Sequence, residues 1–402
     1  MTYREALAWL FGTQLFGIKL GLENIQRLLR ALNLPGDQKF IHVAGTNGKG
    51  SVCAMIDSIL RAQGYGSGLF TSPHLITFRE RIRVNGEMMS EKEVADGLTS
   101  LREMVAGWDP HPTFFEITTA LALQHFNNSA CEFVVLETGM GGRLDATNAV
   151  TPIVCVITPI DYDHQKWLGN SLGEIAGEKA GIIKPGVPVL SAPQEIEAQL
   201  VIEKRAHGCR APLHFIKRPA ALPLSLSGAH QKQNAALALA AVRTADVAID
   251  GAMAVRALSS VHWPARFQRW NENITIDGAH NPAAIRALVQ TWKQNFGEQK
   301  AALVIAILRD KKAPEMVSIL GAIANRFLVT KARSERAIPT EELAAIAHKA
   351  APNVPVEVVP SIETAIARSE GKLTLITGSL HFAGEALAFL RGETHLAEDC
   401  LQ

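Results

Sequence analysis

Apolar positions along this chain follow two alternating rhythms: short runs that end on polar clusters, and longer stretches with apolar residues three and four apart. Residues 39–43 (KFIHV) alternate and finish apolar, which predicts a strand. Residues 44–50 then hold three glycines, and SVCAMIDSILRAQ, starting at Ser51, has the spacing of a helix with one buried face. The same order recurs where EFVVLE (132–137) runs into TGMGGRLDATN, and where 153–158 runs into DYDHQKWLG. Ligands of an open parallel sheet gather beyond the carboxyl ends of its strands. The clusters at 45–51, 137–148 and 161–169 therefore predict one shared site.

The remaining pattern fills in the frame. Residues 1–38 read as helical, with a break over 17–21 and a stop at Pro35-Gly36. A short strand is expected at 67–71, and 72–86 (SPHLITFRERIRVNG) reads as a long charged loop. Pro112 introduces a helix capped by Thr113. A helix over 171–180 closes at Gly181 and Pro185, a strand follows at 187–191, 208–228 is irregular, and an alanine-rich helix runs from Asn234 to about Thr244. Around 262–266 (HWPAR) the pattern restarts, with strands at 274–277, 302–308, 326–330, 356–359 and 373–377 and helices between most of them. That predicts an α/β fold in two domains, 1–262 and a smaller Rossmann-like unit over 263–402, in keeping with a length of 402 residues. No GxGxxG is present, so dinucleotide binding has no support.

Composition narrows the partners. A formal net charge of +1, with 47% apolar and 20% charged residues, gives no electrostatic case for nucleic acid or an acidic membrane. No segment has the order of a signal peptide, and the apolar run over 150–160 is too short to span a bilayer. The five cysteines are scattered without C-x-x-C spacing. They read as reduced thiols of a cytoplasmic protein, three of them buried, and no zinc site is expected.

The glycine stretch carries the first chemistry. Strand, glycine turn and helix form a phosphate cradle, because glycines admit backbone N–H groups to the oxygens and the helix N-terminus adds unpaired donors. Lys49 would reach the outer phosphates and Ser51 would ligate Mg²⁺. The strict G-x-x-x-x-G-K-[ST] pattern is not met: Val43 stands at its first glycine and Gly50 follows the lysine. Glu137, at a strand tip, suits either a Mg²⁺ ligand or a helix-capping or salt-bridged carboxylate. His164 reads as a general base or a hydrogen-bonded loop residue. Lys179, in a mostly apolar helix, is either a buried amine able to take up CO₂ as a carbamate or a lysine held by the helix C-terminal dipole. Arg266, Asp277, His280 and Asn281 form a second polar set that either closes over the nucleotide or serves only a turn. Arg79, Arg81 and Arg83 alternate, as on a solvated strand edge or as guides for substrate carboxylates.

Taken in order, AGTNGKGS, TSPHL, RERIRVNG, LETGMGGRLDATN, DYDHQKWLG, GEKAGI, HQKQNAALA, PARFQ and DGAHNP make the chain resemble the folylpolyglutamate synthase/dihydrofolate synthase family of Mur-type ATP-dependent amide ligases, from about residue 15 to 385. The resemblance implies a P-loop Mur-ligase-type domain and a C-terminal Rossmann-like domain, with the active site in the cleft between them. It implies ATP binding by Thr46, Asn47, Gly48, Lys49, Gly50 and Ser51, with Asn234, Arg266, Asp277 and His280 from the other side. Two Mg²⁺ ions would be ligated by Ser51, Ser72, Glu137 and His164, and Lys179 would be carbamylated. Lys49, Lys179, His164 and Arg266 would be catalytic. A pterin would sit against Thr113, Phe114, Phe115, Glu116, Leu144, Asp145 and Ala146, with Arg81 guiding its carboxylates. Ala265 departs from the glycine usual before the motif arginine, and the tail after Leu380 is only loosely similar. The implied reaction adds L-glutamate to dihydropteroate, to tetrahydrofolate, or to both, in a monomer. Two competing readings are a Mur-type ligase acting on a UDP-peptide of the cell wall, and an ATP-binding regulatory protein without amide chemistry. The TSPHL and RERIRVNG segments, with no UDP-binding domain expected before the glycine turn, disfavour the first. The trio Glu137, His164 and Lys179 disfavours the second, since a switch needs no second metal site.

Overall fold

Alternate residues of the run at 133–137 point to opposite faces of a sheet, and both faces are covered. Phe133 and Val135 pack with Val52 and Ile56, whereas Val134 and Leu136 pack with Phe70, Ile117 and Leu121. Burial on both faces is why this strand reads as continuously apolar rather than alternating. The computed structural model describes residues 1–16, 21–34 and 36–398. Most of the expected break over 17–21, the stop at Pro35 and Cys400 lie outside them.

One sheet contains β1 (Lys39–Ala44), β2 (Ser67–Phe70), β3 (Ile82–Val84), β4 (Glu87–Met88), β5 (Phe133–Glu137), β6 (Val154–Ile157), β7 (Val189–Ser191) and β8 (Leu213–Phe215). Their spatial order is β4-β3-β2-β5-β1-β6-β7-β8. β1 pairs in parallel with both β5 and β6, with Val43 opposite Glu137 and Ala44 opposite Ile157. The three polar clusters therefore emerge side by side. The helix Lys49–Ala62, leaving the glycine turn, is covered by the helices Ala229–Thr244 and Gly251–Ser260.

The second sheet holds β9 (Gln268–Arg269), β10 (Ile274–Ile276), β11 (Ala301–Ile305), β12 (Ala324–Val329), β13 (Val356–Val358) and β14 (Thr374–Thr377), in the order β13-β12-β11-β14-β10-β9. Only β9, an antiparallel edge strand, has no counterpart in the pattern reading. In the first unit the helices Glu91–Val105, Ile196–Gly208 and Gly251–Ser260 add to those expected, and β8 lies in the stretch read as irregular. The helix expected from Asn234 starts earlier, at Ala229. All four described cysteines, Cys53, Cys131, Cys155 and Cys209, are buried free thiols, one more than expected.

The charged stretch 72–86 is more ordered than a loop. Its second half forms a 3-10 turn, Phe78–Arg81, and then β3, paired antiparallel with β2. Glu80 organises the turn, its carboxylate accepting from the backbone N–H groups of Leu75, Ile76 and Thr77 at 2.9–3.1 Å. This stretch also joins the two sheets' units. Glu398 accepts from the Phe78 N–H at 2.5 Å and the Tyr3 hydroxyl at 2.8 Å, and its own N–H donates to the Ile76 carbonyl at 2.8 Å. On the helix Leu380–Arg391, Gly384 lies so close to this stretch that a Cβ there would sit 2.0 Å from the Leu75 carbonyl oxygen.

Ala265, just before β9, has φ +56° and is fully buried. An L-residue pays about 1–2 kcal/mol in that region, a strain that glycine would avoid.

Gly384→Ala separates packing from propensity. An exposed helix position would gain about 1 kcal/mol from alanine, but the collision with the Leu75 carbonyl should reverse the sign and cost about 1–3 kcal/mol. Thermal unfolding should show a lower midpoint; a raised one would mean the helix does not rest on this stretch.

Candidate active site

Beyond the tip of β1 the chain folds into a cradle. Gly45 has φ +149°, and a Cβ on it would lie 1.9 Å from the Thr158 hydroxyl oxygen, so only glycine allows the turn to press against the next strand tip. Thr46 and Asn47 donate their N–H groups to the Pro159 carbonyl, while the Thr46 hydroxyl donates to the Asp161 carbonyl at 3.0 Å. Gly48 (φ +91°) starts the helix, leaving the first-turn N–H groups of Lys49, Gly50 and Ser51 directed into a cavity of about 490 Å³. Every residue expected to hold the nucleotide lines this cavity: Thr46, Asn47, Gly48, Lys49, Gly50, Ser51, Asn234, Arg266, Asp277 and His280. Ser72, Glu137, His164 and Lys179 line it too.

The second unit supplies the opposite wall. Asn281 caps the helix Pro282–Phe296 through the Ala284 N–H, and exchanges amide hydrogen bonds with Asn47 of the cradle at 2.9 and 3.4 Å. Lys311 donates to Asp163 at 2.5 Å, and the His280 Nε2 lies 3.6 Å from the same carboxylate. Burial alone would raise the Asp163 carboxyl; the neighbouring His280 ring and the charge of Lys311 instead hold it far below the usual carboxylate range. Gln231 donates to the Ser51 hydroxyl at 3.4 Å and accepts from Asn234 at 3.0 Å. Pattern reading missed Asp163, Gln231 and Lys311 as site residues. Asp163 and Gln231 sit inside quoted motifs, DYDH and HQKQN, but nothing in the sequence tells which polar residue of a motif faces inward.

Four groups expected to hold metal or react have distinctive surroundings. Glu137 is buried, its carboxyl raised by burial and partly restored by Lys49, the Ser72 N–H and Arg266. The Ser72 hydroxyl oxygen is buried without a hydrogen-bond partner among the described residues. His164, with φ +50°, is lowered to about 4 by burial, so its ring is neutral at pH 7 with a lone pair to offer. Lys179 is buried and lowered to about 7, first by burial and then by Lys49, and donates to the Gly45 carbonyl at 2.8 Å. No group of three or more His, Cys, Asp or Glu side chains among the described residues is placed to hold a metal. The donor set is instead one carboxylate, one imidazole and two serine hydroxyls, one of them orphaned. Such a set suits an ion that completes its shell with phosphate and water.

A second cavity of about 550 Å³ adjoins the first. It is lined by Thr113, Phe114, Phe115, Glu116, Leu144, Asp145 and Ala146, the full set expected against a pterin. Glu116 is partly committed: its carboxylate accepts from the Thr113 N–H and hydroxyl, both at 2.8 Å, as the helix cap. Lys311, Lys312 and Arg336 add positive charge to the lining. Gly139, Met140, Asp163 and His164 line both cavities and form their common wall. Arg81 is the exception among the expected substrate residues. It is fully buried, lines neither large cavity, donates to His74 at 2.9 Å and lies over the Phe114 ring at 5.2 Å. The 3-10 turn points it inward, so it supports Phe114 rather than meeting a carboxylate in solvent.

Comparison with known proteins identifies the family. Residues 43–188 match the Mur ligase middle domain, and residues 265–380 match the glutamate ligase domain of Mur ligases. The dihydrofolate synthase/folylpolyglutamate synthase of Bacillus subtilis is 37% identical over 95% of this chain and 98% of its own. A bifunctional folylpolyglutamate synthase/dihydrofolate synthase of Yersinia pestis, solved with AMPPNP and a manganese ion, superposes with a TM-score of 0.86 at 29% identity, over 97% of this chain and 98% of that one. Escherichia coli FolC, solved with DHPP and ADP, gives a TM-score of 0.86 at 29% identity, over 96% and 98%. The chain belongs to the folylpolyglutamate synthase/dihydrofolate synthase family, ATP-dependent ligases that form an amide bond to glutamate.

Proposed function

We propose that this chain adds L-glutamate to dihydropteroate and to tetrahydrofolate or its polyglutamates, cleaving ATP to ADP and phosphate. The observation that carries this is the common wall of Gly139, Met140, Asp163 and His164. A phosphate donor in the glycine-lined cavity and an aromatic acid in the phenylalanine-lined cavity would meet there, head to head. The ligands of the Yersinia and E. coli relatives suit the character of the two cavities.

The substrate carboxylate attacks the γ-phosphorus of ATP; the bond to the bridging oxygen breaks, and ADP leaves. The amine of L-glutamate then attacks the acyl carbon and expels phosphate. A free carboxylate is a poor acylating agent, so activation has to come first. Lys49 and the N–H groups of the cradle hold the triphosphate, and Arg266 stabilises charge on the transferred phosphoryl. Ser51, Ser72, Glu137 and His164 would hold two Mg²⁺ ions, which when bound offset the repulsion between carboxylate and triphosphate. Lys179, as a carbamate, would keep one N–H for the Gly45 carbonyl and present a carboxylate to the second ion. An acyl phosphate hydrolyses in bulk water, so residues 1–262 and 263–402 acting as two lobes that close on each other fit the chemistry. We assign the protein to the cytoplasm as a monomer.

Three measurements test this. Purified protein given ATP, L-glutamate and each pterin in turn should release ADP over many turnovers only when amine and pterin are both present, with ATP and pterin alone giving at most one ADP per site; no turnover with either pterin overturns the assignment. Glu137→Gln removes the charge and keeps the volume, so kcat should fall about hundredfold or more. Because burial already disfavours that charge, the same variant should melt no lower than the parent, and a large loss of stability would argue for a structural role. For Lys179, the amine held at about 7 is mostly neutral at pH 8 and mostly protonated at pH 6, and only the neutral amine takes up CO₂. A ¹³C-bicarbonate label should therefore give a carbamate carbonyl signal at pH 8 that fades at pH 6 and is missing from Lys179→Gln.

A further inference from the structure

We propose that His42 is a positioning residue for the ligation: through the Thr147 hydroxyl it fixes the Asp145 carboxylate, which pins the wall shared by the two cavities. The inference rests on the reading that the chemistry takes place across that wall.

His42 lies in the centre of β1, fully buried, between Leu136 of β5 and Cys155 of β6. An aliphatic residue would fill that place at less cost, since a buried polar ring gives up its hydrogen bonds to water. The ring makes one side-chain bond, with Nε2 2.8 Å from the Thr147 hydroxyl oxygen. That hydroxyl lies 2.5 Å from Asp145 Oδ1, which also accepts from the Thr147 N–H at 3.1 Å. The other carboxylate oxygen accepts from the Met140 N–H at 2.9 Å, and the Gly139 N–H also bears on this carboxylate. Gly139 and Met140 belong to the common wall.

The direction of the relay follows from its far end. Nδ1 of His42 is buried without a partner among the described residues. If Nδ1 carried the proton, a buried N–H would lack an acceptor; if Nε2 carries it, only a lone pair goes unused, the cheaper of the two. Nε2–H then donates to the Thr147 oxygen, and the Thr147 O–H is left to donate to Asp145. Asp145 in turn stays an acceptor for the backbone N–H groups of the wall, although burial pushes its carboxyl up. Burial also lowers the His42 ring to about 3, so it acts as a neutral donor, not as a charge. Losing the donor frees Thr147 to rotate and loosens the grip on Met140. The reacting carboxylate and the γ-phosphate would then be held less closely, which slows the chemical step more than it weakens ATP binding.

The test compares His42→Leu, which removes the donor, with His42→Gln, whose amide N–H reaches nearly the place of Nε2–H. With ATP, L-glutamate and dihydropteroate, His42→Leu should lower kcat about tenfold or more while KM for ATP stays within about twofold. His42→Gln should recover most of the loss. In the parent protein the ¹⁵N signals of His42, identified by their absence from His42→Gln, should show a protonated Nε2 and a bare Nδ1. Parental kcat in His42→Leu, a His42→Gln as slow as His42→Leu, or a protonated Nδ1 would each overturn the proposal. Should His42→Leu fail to fold, Thr147→Val must show the same kcat loss or the proposal falls. If the parent turns over no pterin, the functional reading fails by itself, and the tautomer together with faster Met140 amide exchange in Thr147→Val still decides the relay.

Discussion

Parallel pairing of β1 with β5 on one side and β6 on the other is the constraint from which the site follows. It brings three strand tips, ending at Ala44, Glu137 and Ile157, to one edge of the sheet. The glycine turn, the TGMGG segment and the DYDH segment thus share one small volume. Gly45 and Gly142 allow the close approach: a side chain on the first would strike Thr158, and on the second the carbonyls of Lys179 and Glu178. Buried Lys179 reaches the Gly45 carbonyl with its side-chain amine at 2.8 Å.

That crowding sets the electrostatics. Lys49, Lys179, Glu137, His164 and Arg266 all line one cavity, and burial pushes the last four toward their neutral forms. Charge returns where opposite partners meet, most strongly at Asp163, which His280 and Lys311 of the second unit hold ionised. A carboxylate of one unit gripped by a lysine and a histidine of the other is also a contact that ties the two units together over the cavity. Glu398 does the same at a distance, carrying the C-terminal end of the chain back to Tyr3 and Phe78.

Asp145 shows how a motif residue can serve its site indirectly. It lines the second cavity, yet its carboxylate is taken up by backbone N–H groups and the Thr147 hydroxyl. Glu116 is likewise held by its own helix cap. The apolar members of the lining, Phe114, Phe115, Leu144 and Ala146, therefore offer the main contact surface, with Lys311, Lys312 and Arg336 as its charged rim.

The sequence by itself determined the α/β class, the central strands of each sheet though not the short β3, β4, β8 and β9, and the polar clusters at the strand ends, because these depend on local periodicity and on glycine in tight turns. It also marked Lys49, Glu137, His164 and Lys179, which stand out as charged or polar residues at strand tips or in an apolar helix. Only the tertiary structure decided that Arg81 turns inward, that 72–86 is half ordered by Glu80, and that Asp163 and Lys311 pair across the units. It alone placed the residues expected to meet a nucleotide and those expected to meet a pterin around two cavities with one wall. Apart from the Glu80 turn, whose hydrogen bonds are local, those outcomes rest on contacts between residues tens to hundreds of positions apart, and their direction is fixed by hydrogen bonds and burial that no local pattern encodes.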